Sequence, residues 1–305
     1  MMTKALNLTC TPRAAVLDGT ADFVVNLADL PSLSEADATE FLDSNVLTSG
    51  MEILLSQAFA RLAGTGSSSG IYKLSESMGG GKTQSMIVAG ILARFPQLAK
   101  LLAFREPLAK AKPDVVAAFT GRATDKKVWV AIGDALGVTF APDRAPSETE
   151  WRDALKNRAA LILLDELAFY LVHAASQGSK EDGTRAATLA GIALTNLFGA
   201  IRDYKECRRC VIVIADLQKD WEQGAEELAR IMRSNDTLGG TMQSVNNEMS
   251  KGAQTIAPVD NSKDELYAIL RRRLFKTQDA SAKDIEAVAD AYVAELNRDF
   301  SLELH

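Results

Sequence analysis

The chain has 305 residues, 47% of them hydrophobic and 24% charged, a balance that excludes an intrinsically disordered or collagen-like protein. Lys and Arg total 34 against 40 Asp and Glu, a formal net charge of −6, so the surface as a whole is not a nucleic-acid footprint, although a local basic groove remains open. Three cysteines, at 10, 207 and 210, are too few for a disulfide scaffold and fit a reducing compartment.

The N-terminal sequence MMTKALNLTC lacks the charged-then-apolar pattern of a signal peptide. The longest apolar region, residues 159–175, contains Asp165, Glu166 and His173 and is too short and too charged to span a bilayer. A soluble, cytoplasmic protein with no membrane segment is expected.

Residues 1–31 read as irregular, punctuated by Pro12 and Pro31. Ser32 and Glu35 have capping-box spacing, which predicts a helix over 33–42. A second helix follows Thr48, with Met51, Leu54, Leu55, Ala58 and Leu62 at helical spacing. GTGSSSG, residues 64–70, is a turn. A short strand at 71–74 leads into SESMGGGKT, and the apolar residues from Met86 onward form a buried helix ending near Pro96.

DVVAAFTG, after Pro113, is a second strand, and 128–136 a helix. Ser147 and Glu150 repeat the capping-box spacing and open a helix around 148–157. AALILLDEL, residues 159–167, is a near-continuous apolar run of the kind buried on both faces of a parallel sheet. A long helix is expected over 186–204 and a fourth strand in VIVIAD, 211–216. A polar, helix-prone stretch at 217–250 precedes a weaker fifth strand at 253–259. Ser262 and Glu265 are expected to cap a helix carrying LYAILRRRLF, and 281–299 is a final amphipathic helix.

Strands alternating with helices imply an α/β protein with a parallel sheet. The expected organisation is a helical N-terminal segment (1–63), a three-layer nucleotide-binding core (64–260) and the start of a helical lid (261–305).

The sharpest motif is Gly79-Gly80-Gly81-Lys82-Thr83, set between a strand and a helix as a phosphate-binding P-loop requires. Glycines let backbone N–H groups converge on phosphate oxygens, and the positive end of the following helix favours the anion. Lys82 would reach the β- and γ-phosphates of ATP, Thr83 would place its hydroxyl on Mg²⁺, and Gln84 belongs to the same binding stretch. The motif's first glycine would fall at 76, which is Glu76.

The acidic partner is LILLDE. Asp165 would hold Mg²⁺ and Glu166 would polarise the attacking water. One strand, DVVAAFTG, lies between the two motifs, which sorts the chain with additional-strand P-loop ATPases. Asp216, at the end of the next strand, is the expected γ-phosphate sensor.

These residues resemble the AAA+ type of P-loop ATPase. More narrowly, the chain resembles a large bacterial ATPase family of unassigned function, often found beside DNA methyltransferase genes in restriction-like or phage-defence clusters. The resemblance rests on PRAAVLDG (12–19), FLDSNVLTSGMEILL (41–55), SMGGGKTQSMIVAGILA (77–93), LLDEL (163–167) and APVDNSKDELYAILRRRLF (257–275). It implies nucleotide binding, a role near DNA, and assembly as a homo-oligomer or with other defence or modification subunits. It also implies an arginine that reaches a neighbour's γ-phosphate. Arg273 is favoured, with Arg271, Arg272, Arg230 and Arg233 as other candidates.

Cys207-Arg208-Arg209-Cys210 has C-x-x-C spacing but no second pair to complete a zinc site, and reads as structural. His173 reads as a packed or exposed histidine. Aromatics are 6%, with no aromatic–basic alternation to stack bases. The leading expectation is an ATP-binding protein that hydrolyses MgATP to drive a conformational change. The alternatives are a nucleotide-dependent switch or scaffold with negligible hydrolysis, and a DNA translocase or helicase component.

Overall fold

The structure, a computed structural model, describes residues 10–13, 25–66, 69–75, 81–104, 111–122, 125–215, 236–260 and 264–278, together with Glu286 and Asp290. In chain order the strands are β1 (Cys10–Pro12), β2 (Ile71–Leu74), β3 (Val115–Thr120), β4 (Ala160–Asp165), β5 (Cys210–Ala215), β6 (Ala253–Ile256) and β7 (Phe275–Gln278). The α-helices are α1 (Glu35–Asp43), α2 (Ser49–Leu62), α3 (Lys82–Arg94), α4 (Val128–Leu136), α5 (Glu148–Leu155), α6 (Leu167–Ser176), α7 (Lys180–Asp203), α8 (Asp236–Ser250) and α9 (Glu265–Leu274).

The chain divides into two compact units. One comprises Val25–Asp43 and Leu47–Lys263, the other Met1–Val24, Ser44–Val46 and Asp264–His305. The larger unit is built on a parallel sheet whose five described strands run in the order β3-β4-β5-β2-β6. Every residue of β4 and β5 is buried, as their unbroken apolar runs require of strands covered on both faces.

Strand alternation sorts these residues into two cores. Ile162, Leu164, Ile212 and Ile214 face a core shared with α4–α8, while Leu161, Leu163, Val211 and Val213 face one shared with α1–α3. The unit is therefore a three-layer α/β fold, helices against sheet against helices. Among the described residues no helix is long and apolar enough to cross a membrane.

Local sequence signals explain most boundaries. Ser147 and Glu150 form the expected reciprocal capping box at the start of α5. Thr48 caps α2, its Oγ1 accepting from Met51 N at 3.2 Å. α1 begins later than Ser32 allows. Ser34 is the capping residue, accepting from Asp37 N at 3.1 Å, while the Ser32 hydroxyl donates to Asp29 O. Leu30 and Leu33 are buried, so the chain is still turning over the core at that point.

α7 begins at Lys180, not 186, behind a capping box of Ser179 and Asp182. Gly183 conceals that start in the sequence. It is needed because a Cβ there would meet Ala175 O at 2.1 Å, where α6 and α7 approach closely.

In the smaller unit β1 pairs antiparallel with β7, from Cys10↔Gln278 to Pro12↔Phe275, with an irregularity before Pro12. Arg13 continues the contact, its N donating to Leu274 O at 3.0 Å and its Nε to Arg272 O at 2.9 Å. Residues 10–12 are thus strand rather than irregular, and Phe275 opens a strand rather than closing α9. Asp264 is the N-cap residue of α9. The expected cap Ser262, Ser67 and Ser68 of the turn, the polar stretch 217–235, and the final helix apart from Glu286 and Asp290 lie outside the described residues.

Candidate functional site

In a parallel sheet, groups that bind ligands gather beyond the carboxyl ends of the strands. β2 ends at Leu74, β3 at Thr120 and β4 at Asp165, with Thr120 directly opposite Asp165 in the register. Gly81 lies after β2 and opens α3 with φ +79° and ψ 14°, a left-handed conformation that L side chains adopt only at a cost. A Cβ there would also lie 3.4 Å from Val259 Cγ2. The first turn of α3 holds no acidic residue. It carries Lys82, partly exposed, and Thr83, exposed. Gln84 follows in the same turn, partly exposed.

Thr83 and Asp165, distant in sequence, are brought together. The Thr83 hydroxyl donates to Asp165 Oδ2 at 2.5 Å. Asp165 is only 4% exposed, and its Oδ1 accepts from Glu166 N at 2.9 Å. A hydroxyl and a buried carboxylate form a hard-oxygen donor pair. That suits Mg²⁺, which takes one or two protein oxygens and completes its shell with water and phosphate. Among the described residues there is no group of three or more His, Cys, Asp or Glu that could hold a metal ion.

Glu166 caps α6 in the left-handed region, φ 53° and ψ 32°. Its side chain turns to β3. Arg122 Nε donates to Oε1 at 2.7 Å and to Oε2 at 2.9 Å, and Thr120 Oγ1 donates to Oε2 at 3.0 Å. The carboxylate raises the Arg122 pKa, chiefly through that hydrogen bond. The Arg122 guanidinium also lies 5.5 Å from the centroid of the Phe169 ring, one helical turn into α6. Gly121 makes the arrangement possible, since a Cβ there would meet Glu166 O at 1.9 Å.

Sequence reasoning thus missed Thr120 and Arg122. The available signal was the end of DVVAAFTG, a strand adjacent to the acid-bearing one. Of the expected site residues, Gly79, Gly80 and Asp216 lie outside the described residues, as do Glu76, Arg230 and Arg233. Arg271, Arg272 and Arg273 sit on α9 in the smaller unit. His173 is partly buried near the end of α6, its Nε2 2.9 Å from Gln177 Nε2. Comparison with protein-family models, curated proteins and solved structures finds no match for this chain.

Proposed function

We propose that this chain binds MgATP at the carboxyl edge of its sheet and is a P-loop ATPase of the additional-strand, AAA+-like type. The observation that carries the reading is the Thr83–Asp165 pair, a hydroxyl from the first turn of α3 and a carboxylate from the end of β4 meeting at 2.5 Å. The strand order adds support. β3 separates the two motifs in sequence, but β5 separates their strands in space, with β4 pairing β5 and β5 pairing β2.

In this reading Gly81 and the amino end of α3 receive phosphate oxygens, and Lys82 reaches the terminal phosphates. Thr83 and Asp165 hold Mg²⁺, directly or through water. Bound Mg²⁺ neutralises charge on the β- and γ-phosphate oxygens. Glu166 orients the attacking water and accepts its proton. Asp216 and Arg273 remain the proposed sensor and trans arginine. The setting, a DNA-modification or phage-defence assembly of like or different subunits, rests on the family resemblance.

One observation favours a second reading, a nucleotide-dependent switch that hydrolyses slowly. An ionised carboxylate has about four acceptor positions. Arg122 and Thr120 donate three bonds to Glu166, so little capacity is left for a water.

Binding is tested by titrating a non-hydrolysable ATP analogue with and without Mg²⁺. The Mg²⁺-dependent gain in affinity is expected in the wild-type chain and lost in Thr83→Ala and Asp165→Asn. Equal Mg²⁺ dependence in all three proteins would remove the reading.

A further inference from the structure

The candidate site lies beyond the carboxyl ends of the strands. The opposite edge, where the five parallel strands begin, is a separate surface. The four residues that precede each strand include Lys112, Lys156, Arg158, Arg208, Arg209 and Lys251, against two carboxylates, Asp114 and Glu206. Six cations against two acids leave an excess of four positive charges, in a chain whose formal net charge is −6.

The cations form a row along the sheet. Lys112 leads into β3, Lys156 and Arg158 into β4, Lys205, Arg208 and Arg209 into β5, and Lys251 into β6. No cation directly precedes β2, but Arg61 from the last turn of α2 reaches its start. Arg61 Nε donates to Cys210 O at 2.8 Å, and a Cβ on Gly70 would meet Arg61 Nη2 at 2.7 Å.

Much of this charge has no acid beside it. Lys112, Lys205 and Arg208 are exposed and make no ion pair among the described residues. Arg158 and Arg209 are partly exposed and rest on backbone carbonyls. Arg158 Nη1 donates to Leu136 O at 2.6 Å and Arg209 Nε to Leu62 O at 2.8 Å, at the ends of α4 and α2. Each guanidinium keeps further N–H donors for another acceptor. Lys156 and Lys251 approach Asp153 and Glu248 in surface i,i+3 pairs, contacts weak enough for a phosphate to displace. Arg202 offsets Asp203, and Asp114 Oδ2 already accepts from Ala159 N at 2.8 Å.

The shape of the row selects the partner. Neighbouring strands lie about 4.8 Å apart, so the four intervals from β3 to β6 span about 19 Å. Phosphates on one DNA strand recur every 3.4 Å along the axis, so the row faces about five to six base pairs. A protein partner calls for apolar anchors at the centre of its interface. The exposed large hydrophobics described in this unit are Ile53, near the start of α2, and Ile192, near the middle of α7, both away from this edge. Lipid-binding basic clusters sit on amphipathic helices or beside membrane spans, whereas these cations stand on the starts of strands. The Tyr204 ring, beside Lys205, is engaged by the Arg152 guanidinium at 5.3 Å and is not offered for stacking a single-stranded base.

We propose that the strand-entry edge binds the phosphate backbone of duplex DNA without regard to sequence. The guanidinium and ammonium groups neutralise phosphates, and the counterions they displace supply the affinity. The surface lies across the sheet from Thr83 and Asp165, so it does not depend on the nucleotide reading.

The test is the fluorescence anisotropy of a labelled duplex of about 24 base pairs, titrated with the full chain in the absence of nucleotide at 50 to 200 mM salt. With about four phosphates contacted, log affinity falls against log salt with a slope of about −3.6, an affinity loss of about 150-fold over that range. Two unrelated sequences are expected to bind alike, and a single strand of the same length more weakly. The double variant Lys205→Glu, Arg208→Glu is expected to bind at least about tenfold more weakly at 50 mM salt and to flatten the slope by about 1.8, with an unchanged melting temperature. No duplex binding by the wild type at 50 mM salt, or the same affinity and slope in the variant, would overturn the proposal. So would tighter binding to the single strand, or to phosphatidylserine vesicles, than to the duplex. The wild-type salt slope involves no substitution, so the proposal stands or falls whether or not the variant folds.

Discussion

Glu166 holds a left-handed backbone, worth about 1–3 kcal/mol of strain, at the point where β4 gives way to α6. That geometry lets its carboxylate reach Arg122 and Thr120 rather than follow Asp165. The Arg122 side chain is 72% exposed, so solvent screens the pair and its strength is about 0.2–1 kcal/mol. If the pair holds Glu166 away from water, Arg122→Ala should raise phosphate release by about 1.4- to fivefold, the rate equivalent of that energy. Affinity for the nucleotide should stay the same. An unchanged or lower rate would show that Arg122 does not restrain Glu166.

A second carboxylate gives a pH signature. Arg144 and the backbone N of Ser147 hold Glu150 well below the usual carboxylate range, at about 2. A depressed folded-state pKa contributes stability above the unfolded value of 4.5, and this is lost as pH falls toward about 2. The gap in melting temperature between wild type and Glu150→Gln should therefore shrink through that window, while remaining constant near neutrality.

At the level of elements, the sheet was largely legible in the sequence. LILLD and VIVIA read as strands because both their faces are buried, so apolar residues run on without a polar break. β1 and β7 were not legible. They are short strands whose partners lie at opposite ends of the chain, with a proline in one and the other appended to the RRRLF run.

Ser32-x-x-Glu35 and Ser34-x-x-Asp37 both fit a cap, and burial of Leu33, which spacing does not report, selected Ser34. In the candidate site, Thr83 and Asp165, which the structure brings together, stood out in the sequence because each lies in a local motif, GGGKT and LLDE. Arg122 did not, since an exposed arginine after a strand has no local signature. It becomes visible only through the register that sets Thr120 opposite Asp165.

α8 offers a test of element stability. A Cβ at Gly239 or Gly240 would meet nothing within 4 Å, so each residue weakens the helix without relieving a contact. Gly240→Ala should stabilise the protein by about 0.5–1 kcal/mol, seen as a higher melting temperature. A lower melting temperature would mean that a neighbour occupies that space.

For the whole molecule, the division of labour follows from the sheet. Alternate residues of β4 and β5 anchor two cores, and the carboxyl end of β4, paired in register with that of β3, meets Thr83 at the start of α3. The rigid layers thereby hold Thr83, Asp165 and Glu166 in register without any one loop having to do so.

The central claim is that MgATP is hydrolysed at the Lys82–Asp165–Glu166 edge. Its most direct test is steady-state phosphate release from MgATP by the purified full chain, measured beside Lys82→Ala and Glu166→Gln. The account predicts slow release by the wild type that falls to background in both variants, with Glu166→Gln still binding the nucleotide. Release that is the same in the wild type and in Lys82→Ala would contradict it.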